Sequence, residues 1–147
     1  MELRTPCFTA RFDKARCNFV SLVNLRDGDE YLKRPPRSPI VELYALHGTD
    51  KVRLLPEDVR VSGTAEALTV EIGRFGDQPI TARLNCAAAG DRLTISATVE
   101  NHGTWDVVEV LLPYIGGMYL GADYRDDILV YPHHAGEKTQ NPVEGYG

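Results

Sequence analysis

A strict alternation of apolar and polar side chains over residues 93–100 constrains this chain more than any other feature. The apolar positions are Leu93, Ile95, Ala97 and Val99, and a polar residue stands at each position between them. Because successive side chains leave opposite faces of a pleated strand, the alternation predicts one half-buried β-strand. A turn-prone Asn-His-Gly at 101–103 and a second apolar run at 105–112 follow. The two segments predict either an antiparallel hairpin or a connection between neighbouring sheets.

Short segments of the same kind recur about every ten residues along the chain, with turn residues between them. The predicted strands cover residues 8–12, 18–25, 30–32, 40–46, 51–55, 59–61, 68–72, 80–86 and 128–131. Turns are predicted at 26–29, 47–50, 56–58 and 76–77, where Gly, Asp and Pro gather. No stretch keeps a helical period over three turns. The pattern therefore predicts an all-β antiparallel sandwich with little or no helix.

The length and charge of the chain narrow its class. The 147 residues suit a single domain over 1–147, and residues 132–147 hold too few aliphatic side chains for more than an extended C-terminal segment. The net charge of -5 argues against a nucleic-acid partner, because phosphate binding needs a basic stripe. No apolar run approaches the ~20 residues that span a bilayer, so we expect no membrane partner.

The cysteine pattern indicates a reducing compartment. Cys7, Cys17 and Cys86 leave at least one thiol unpaired and match no zinc-ligand spacing, so we interpret them as small buried side chains. The first residues lack the apolar core of a signal peptide, and a cytoplasmic location is most consistent with the sequence. Phosphate-binding glycine loops and nucleotide fingerprints do not occur, so we expect no cofactor.

His133, His134 and Glu137 are the candidate catalytic residues. Ring-opening of a sugar hemiacetal needs one group that donates a proton and one that accepts it, and a histidine with a carboxylate can do both. The alternative is a solvated loop, because adjacent side chains leave a strand in opposite directions. A metal site at the histidine pair would lack a third ligand at suitable spacing.

Trp105 and Tyr124 are the candidate carbohydrate-binding residues. The C–H face of a sugar is apolar and stacks on an exposed aromatic ring. The alternative is a place in the core or at an interface, because aromatic side chains bury a large area in sandwich folds. Trp105 follows a turn and precedes Asp106, so it is the aromatic residue that we expect to be partly exposed.

Four ordered motifs support a family resemblance. They are Val99-Glu100-Asn101, the run 108–113 ending in Pro113, the segment 117–121 bounded by glycines, and 129–132 followed by Gly136, Asn141 and Pro142. Upstream, the segment NLRDGDEYL is similar to an early hairpin of the same domains. In this order the motifs resemble the galactose mutarotase-like β-supersandwich that begins large bacterial glycoside hydrolase-type proteins. The motifs around the catalytic His and Glu of true mutarotases are not present.

The resemblance implies a sandwich of roughly twice this length, so the chain would be a truncated, supersandwich-like first half with an unpaired sheet edge. The implied function is a non-catalytic N-terminal module that braces a glycoside hydrolase domain and contacts glycan. The implied partners are the C-terminal remainder of the parent protein and a carbohydrate. Because half a sandwich exposes an apolar sheet face and an unpaired edge, we expect the chain either to fold as a smaller, closed sandwich or to pair with a second copy as a homodimer through the exposed sheet edge. The alternatives are an aldose epimerase that uses the histidine pair with Glu137, and a stand-alone carbohydrate-binding module.

Overall fold

The computed structural model describes residues 1–34 and 36–118, together with the backbone of two short strands at 128–131 and 137–140. All secondary-structure elements among these residues are β-strands, which confirms the all-β prediction. No helix among them is long and apolar enough to cross a membrane. The strands are β1 (Glu2–Arg4), β2 (Phe8–Asp13), β3 (Asn18–Asn24), β4 (Glu42–His47), β5 (Asp50–Leu54), β6 (Pro56–Gly63), β7 (Ala67–Phe75), β8 (Ile80–Ala89), β9 (Arg92–Asn101), β10 (Asp106–Leu111), β11 (Ile128–Tyr131) and β12 (Glu137–Gln140).

The strands form three antiparallel sheets and one two-stranded ladder. The N-terminal sheet has the order β1-β2-β3, the middle sheet β10-β4-β5, and the large sheet β6-β7-β8-β9. The ladder pairs β11, a strand that the sequence predicts, with β12, which lies in the segment predicted to be extended. All pairings between consecutive strands are hairpins, as the regular spacing of turn residues predicts.

One hydrophobic core joins the three sheets. Every second side chain of β8 is buried, and the intervening ones face solvent. The rings of Phe12 and Phe19 meet edge to face, with centroids 5.2 Å apart and planes at 89°. On the opposite face of the large sheet the side chains are mostly polar, and Arg83 forms an exposed 2.7 Å ion pair with Glu71 on the neighbouring strand. This division into an apolar inner face and a polar outer face is that of a sandwich-like fold.

The connection from β9 to β10 runs between neighbouring sheets. β10 pairs with β4, whereas β9 pairs with β8. The Asn101 side chain redirects the chain, because its Nδ2 donates to the Trp105 carbonyl at 2.8 Å and its Oδ1 accepts from the Gly103 N–H at 2.9 Å. The structure therefore has the predicted connection between neighbouring sheets, and the alternative prediction of an antiparallel hairpin is wrong. Among the described residues, β9 is left as an edge strand of the large sheet.

Two local predictions were wrong. Residues 56–58, predicted as a turn, lie in β6, which keeps one register with β7 from Glu57–Arg74 to Val59–Ile72, so that Asp58, with φ +54°, stands opposite Gly73. An edge strand accommodates a proline, because its outer backbone groups need no partner strand. Residues 30–32, predicted as a strand, form only single bridges. The Glu30 carboxylate accepts the Leu22 and Leu32 N–H groups and replaces strand pairing there.

Candidate functional site

A cleft of about 290 Å³ lies where the N-terminal sheet meets the turn between β8 and β9. β2 and β3 supply one wall, and the start of β9 supplies the other. The lining residues are Cys7, Phe8, Leu22, Asn24, Arg26, Tyr31, Asp91 and Leu93. Segments from both layers of the sandwich therefore build the cleft. A concave site with an apolar floor and a few convergent polar groups is the usual form of a small-molecule site.

Asn24 organises the turn at one side of the cleft. Its Oδ1 accepts the Arg26 N–H at 3.0 Å, and its Nδ2 donates to Asp27 Oδ2 at 2.9 Å. Gly28 completes the predicted turn with φ +79°, a conformation that suits glycine. Nδ2 of Asn24 also donates to the Tyr31 hydroxyl at 3.0 Å. Because that hydroxyl is the acceptor in this contact, it keeps its own proton to donate to a ligand.

Glu30 holds the segment that carries Tyr31. Its carboxylate accepts the Ser21 hydroxyl and the backbone N–H groups of Leu22, at 2.7 Å, and Leu32, at 2.9 Å. Partial burial alone would raise the pKa of Glu30, but these hydrogen bonds outweigh burial and lower that pKa. The carboxylate therefore stays ionised at neutral pH and fixes the backbone on both sides of Tyr31.

Opposite charges stand at the rim of the cleft. Arg26 is exposed on one side and Asp91 on the other. Asp91 contacts Arg92 at 3.9 Å, and both side chains are more than 80% exposed, so this contact is weak. The rim therefore offers a guanidinium donor and a carboxylate acceptor, while Phe8, Leu22 and Leu93 provide apolar surface between them.

Cys7 differs from the other two cysteines. All three thiols are free, but Cys17 and Cys86 are buried and Cys7 is half-buried at the cleft. Burial raises the pKa of Cys17 to about 12 and that of Cys86 to about 11, so neither forms a reactive thiolate at neutral pH. The prediction of three buried cysteines is thus confirmed for two, and the third lies where a bound ligand would cover it.

Trp105 is the candidate carbohydrate-binding residue that the structure describes, and it lies outside the cleft. Its ring is half-buried and packs at the margin of the core. One face stacks on His47, with ring centroids 4.5 Å apart and planes at 19°. A sugar would therefore reach only the parts of the ring that His47 and the core leave open.

The remaining predicted site residues cannot be placed in this geometry. Tyr124, His133 and His134 lie outside the described residues, and for Glu137 only the backbone of β12 is described. The acid–base set therefore stays a prediction. Within the described part of the chain, no three His, Cys, Asp or Glu side chains come together as a metal site.

The sequence did not point to the cleft. Arg26 stands in a predicted turn and Asp91 just before a predicted strand, and at both places a charged residue usually only contacts solvent. The available signal was a charge beside an apolar strand at each place, but nothing local shows that residues 65 positions apart in the sequence meet in space. Comparison of the chain with protein-family models, with curated proteins and with solved structures found no match to any of them.

Proposed function

We propose that the chain is a non-catalytic β-sandwich module of a carbohydrate-active protein, and that it holds a sugar in the cleft beside Tyr31 and Asp91. Its further role would be to brace the catalytic domain of a glycoside hydrolase. The family resemblance supports the carbohydrate class, and the composition of the cleft is the observation that carries the proposal.

The cleft combines the two kinds of contact that a sugar offers. A pyranose has an apolar C–H face and an edge of hydroxyl groups, each of which donates and accepts hydrogen bonds. Phe8 and Leu93 would contact the apolar face. The Tyr31 hydroxyl, the Arg26 guanidinium and the Asp91 carboxylate supply donors and an acceptor for the hydroxyl edge.

Size and charge restrict the ligand further. A volume of about 290 Å³ is at the low end for small-molecule sites, which suits one sugar ring better than a long chain. Arg26 and Asp91 carry opposite charges, so the rim has no net charge that would select an acidic polysaccharide. We therefore propose a neutral sugar.

A binding role fits the cleft better than hydrolysis. Glycoside hydrolysis needs two carboxyl groups facing each other across the scissile bond. Among the described residues that line the cleft, Asp91 is the single carboxylate. The epimerase alternative rests on His133, His134 and Glu137, and an assay of anomer exchange on the purified chain would reveal it. Acceleration of that exchange would replace the present proposal.

The test is a titration with a panel of neutral monosaccharides and disaccharides, followed by calorimetry. Tyr31→Phe removes one hydroxyl, and Asp91→Ala removes the acceptor at the rim. A neutral hydrogen bond contributes about 1 kcal/mol, so Tyr31→Phe should weaken binding about fivefold, and Asp91→Ala, which removes a charged acceptor, should weaken it about tenfold or more. Asp77→Ala, in an exposed turn that does not line the cleft, is the matched control and should bind as the wild type does. Absence of binding for the whole panel, or equal binding by all three variants, contradicts the proposal.

A further inference from the structure

The outer edge of β9 is a long, regular strand edge. β9 pairs with β8 over ten consecutive positions, from Ile80–Asn101 to Ala89–Arg92, without a bulge. It contains no proline, and among the described residues no strand pairs with its other side. A straight edge of this kind is a template for another strand, unless charges or irregularities block it.

We propose that β9 pairs antiparallel with β9 of a second copy, with the two-fold axis at Ser96. This inference goes beyond the carbohydrate proposal and does not depend on it. With Ser96 opposite Ser96, the polar face brings Arg92 of each copy opposite Glu100 of the other, and Thr94 opposite Thr98. Opposite charges and threonine pairs directly across two strands are favourable contacts.

In the same register, the apolar side chains on the inner face of β9 lie opposite apolar side chains of the second copy. Leu93 would lie opposite Val99, and Ile95 opposite Ala97. All four side chains are half-buried in the single chain, where they pack against the margin of the core. Addition of a second β9 would cover exposed surface of Ile95, Ala97 and Val99, which is the hydrophobic contribution to pairing.

The charges on β9 select this register. A shift of two residues in either direction moves Arg92 and Glu100 away from each other across the axis. Their contacts within one chain, Arg92 with Asp91 at 3.9 Å and Glu100 with His102 at 3.4 Å, are exposed and cost little to rearrange.

The free edge of β10 fits a second copy less well. β10 has only six residues, and its register with β4 shifts between Val107 and Glu109. It carries Asp106 and Glu109 but no cation, so two copies would form no ion pair across a two-fold axis.

Analytical ultracentrifugation over a range of protein concentrations tests the charge pairing. Arg92→Glu places like charges opposite each other at two symmetric positions, and we expect the dissociation constant of the dimer to rise about tenfold or more. The double variant Arg92→Glu/Glu100→Arg restores opposite charges and should restore the wild-type constant. A monomer at every concentration, or failure of the double variant to recover, overturns the proposal.

A crosslinking experiment tests the position of the axis. In a Cys7→Ser background the buried Cys17 and Cys86 do not compete for reagent. Ser96→Cys should then form a covalent dimer with a short bismaleimide. The control Thr81→Cys, on the same sheet but away from the axis, should crosslink far more slowly. Equal rates at the two positions would place the interface elsewhere and overturn the register.

Discussion

Asn18 joins three segments of the chain through one buried side chain. It is 0% exposed, and its Nδ2 donates to the carbonyl oxygens of Ser38, at 2.8 Å, and Tyr114, at 2.9 Å. Its Oδ1 accepts the N–H of Phe19 at 2.7 Å. The segment after β10 is thus tied to β3 through a fully buried amide, and an unpaired polar group at a buried position is costly.

Replacement of Asn18 by alanine should therefore lower the free energy of unfolding by about 2–3 kcal/mol, since it leaves two carbonyls and one N–H without a partner. Urea denaturation followed by circular dichroism measures the change. The control is Asn85→Ala on the exposed face of β8, whose contact with Thr69 is long, at 3.5 Å. Equal losses of unfolding free energy for the two variants would show that the buried hydrogen bonds of Asn18 do not stabilise the fold.

Glu42 makes stability depend on acid pH. The side chain is 3% exposed and is held by Arg53, whose Nε donates to Oε2 at 2.8 Å. This hydrogen bond lowers the pKa of Glu42 more than burial raises it, and the Ser38 hydroxyl lowers it further. Because the folded pKa lies below the ordinary value of 4.5, the stabilisation is complete above that pH and is lost as pH falls through the folded pKa.

The free energy of unfolding should therefore decline as the pH falls below 4.5, and the decline should be shallower in Glu42→Gln. The amide keeps the shape of the side chain but does not titrate. Urea titrations at several pH values between neutral and strongly acidic measure both slopes. Identical slopes for the variant and the wild type would show that Glu42 does not carry this pH dependence.

Gly63 sets the turn between β6 and β7. Its φ is +145°, and an added Cβ would lie 2.1 Å from the carbonyl oxygen of Ala67. Because that atom belongs to the backbone, the turn itself would have to move. Gly48 is the matched position, since its φ is +64° and nothing lies within 4 Å of an added Cβ.

Gly63→Ala should consequently destabilise the protein by more than Gly48→Ala, which should cost about 1 kcal/mol for the left-handed backbone alone. Thermal or urea unfolding of the two variants gives the comparison. A smaller loss of unfolding free energy for Gly63→Ala than for Gly48→Ala would show that β6 and β7 do not approach each other this closely at the turn.

The elements show where sequence patterns predict structure and where they do not. Period-two alternation predicted β8 and β9, because it reports directly which side chains face the core. The same reasoning placed a turn at 56–58, since Pro56 and Asp58 are common turn residues and the local pattern does not show that they stand in an edge strand. It also missed that the Glu30 side chain, not a partner strand, satisfies the Leu22 N–H.

At the scale of the whole molecule, the sandwich-like architecture was predictable and the cleft was not. Many short alternating strands with one apolar face must bury that face against another layer. The cleft depends instead on how the ends of the layers meet, which brings the turn at Arg26 to the turn at Asp91. Pairing of β10 with β4 is likewise set by packing between distant segments rather than by local pattern.

Cys7 provides the most direct test of ligand binding in the cleft, because its thiol lines the cleft while Cys17 and Cys86 are buried. The measurement is the rate of Cys7 alkylation by iodoacetamide, followed by mass spectrometry, with and without each sugar of the neutral panel. Binding in the cleft predicts that at least one sugar slows alkylation in the wild type and that the protection is weakened in Tyr31→Phe. An alkylation rate that no sugar changes would contradict the account.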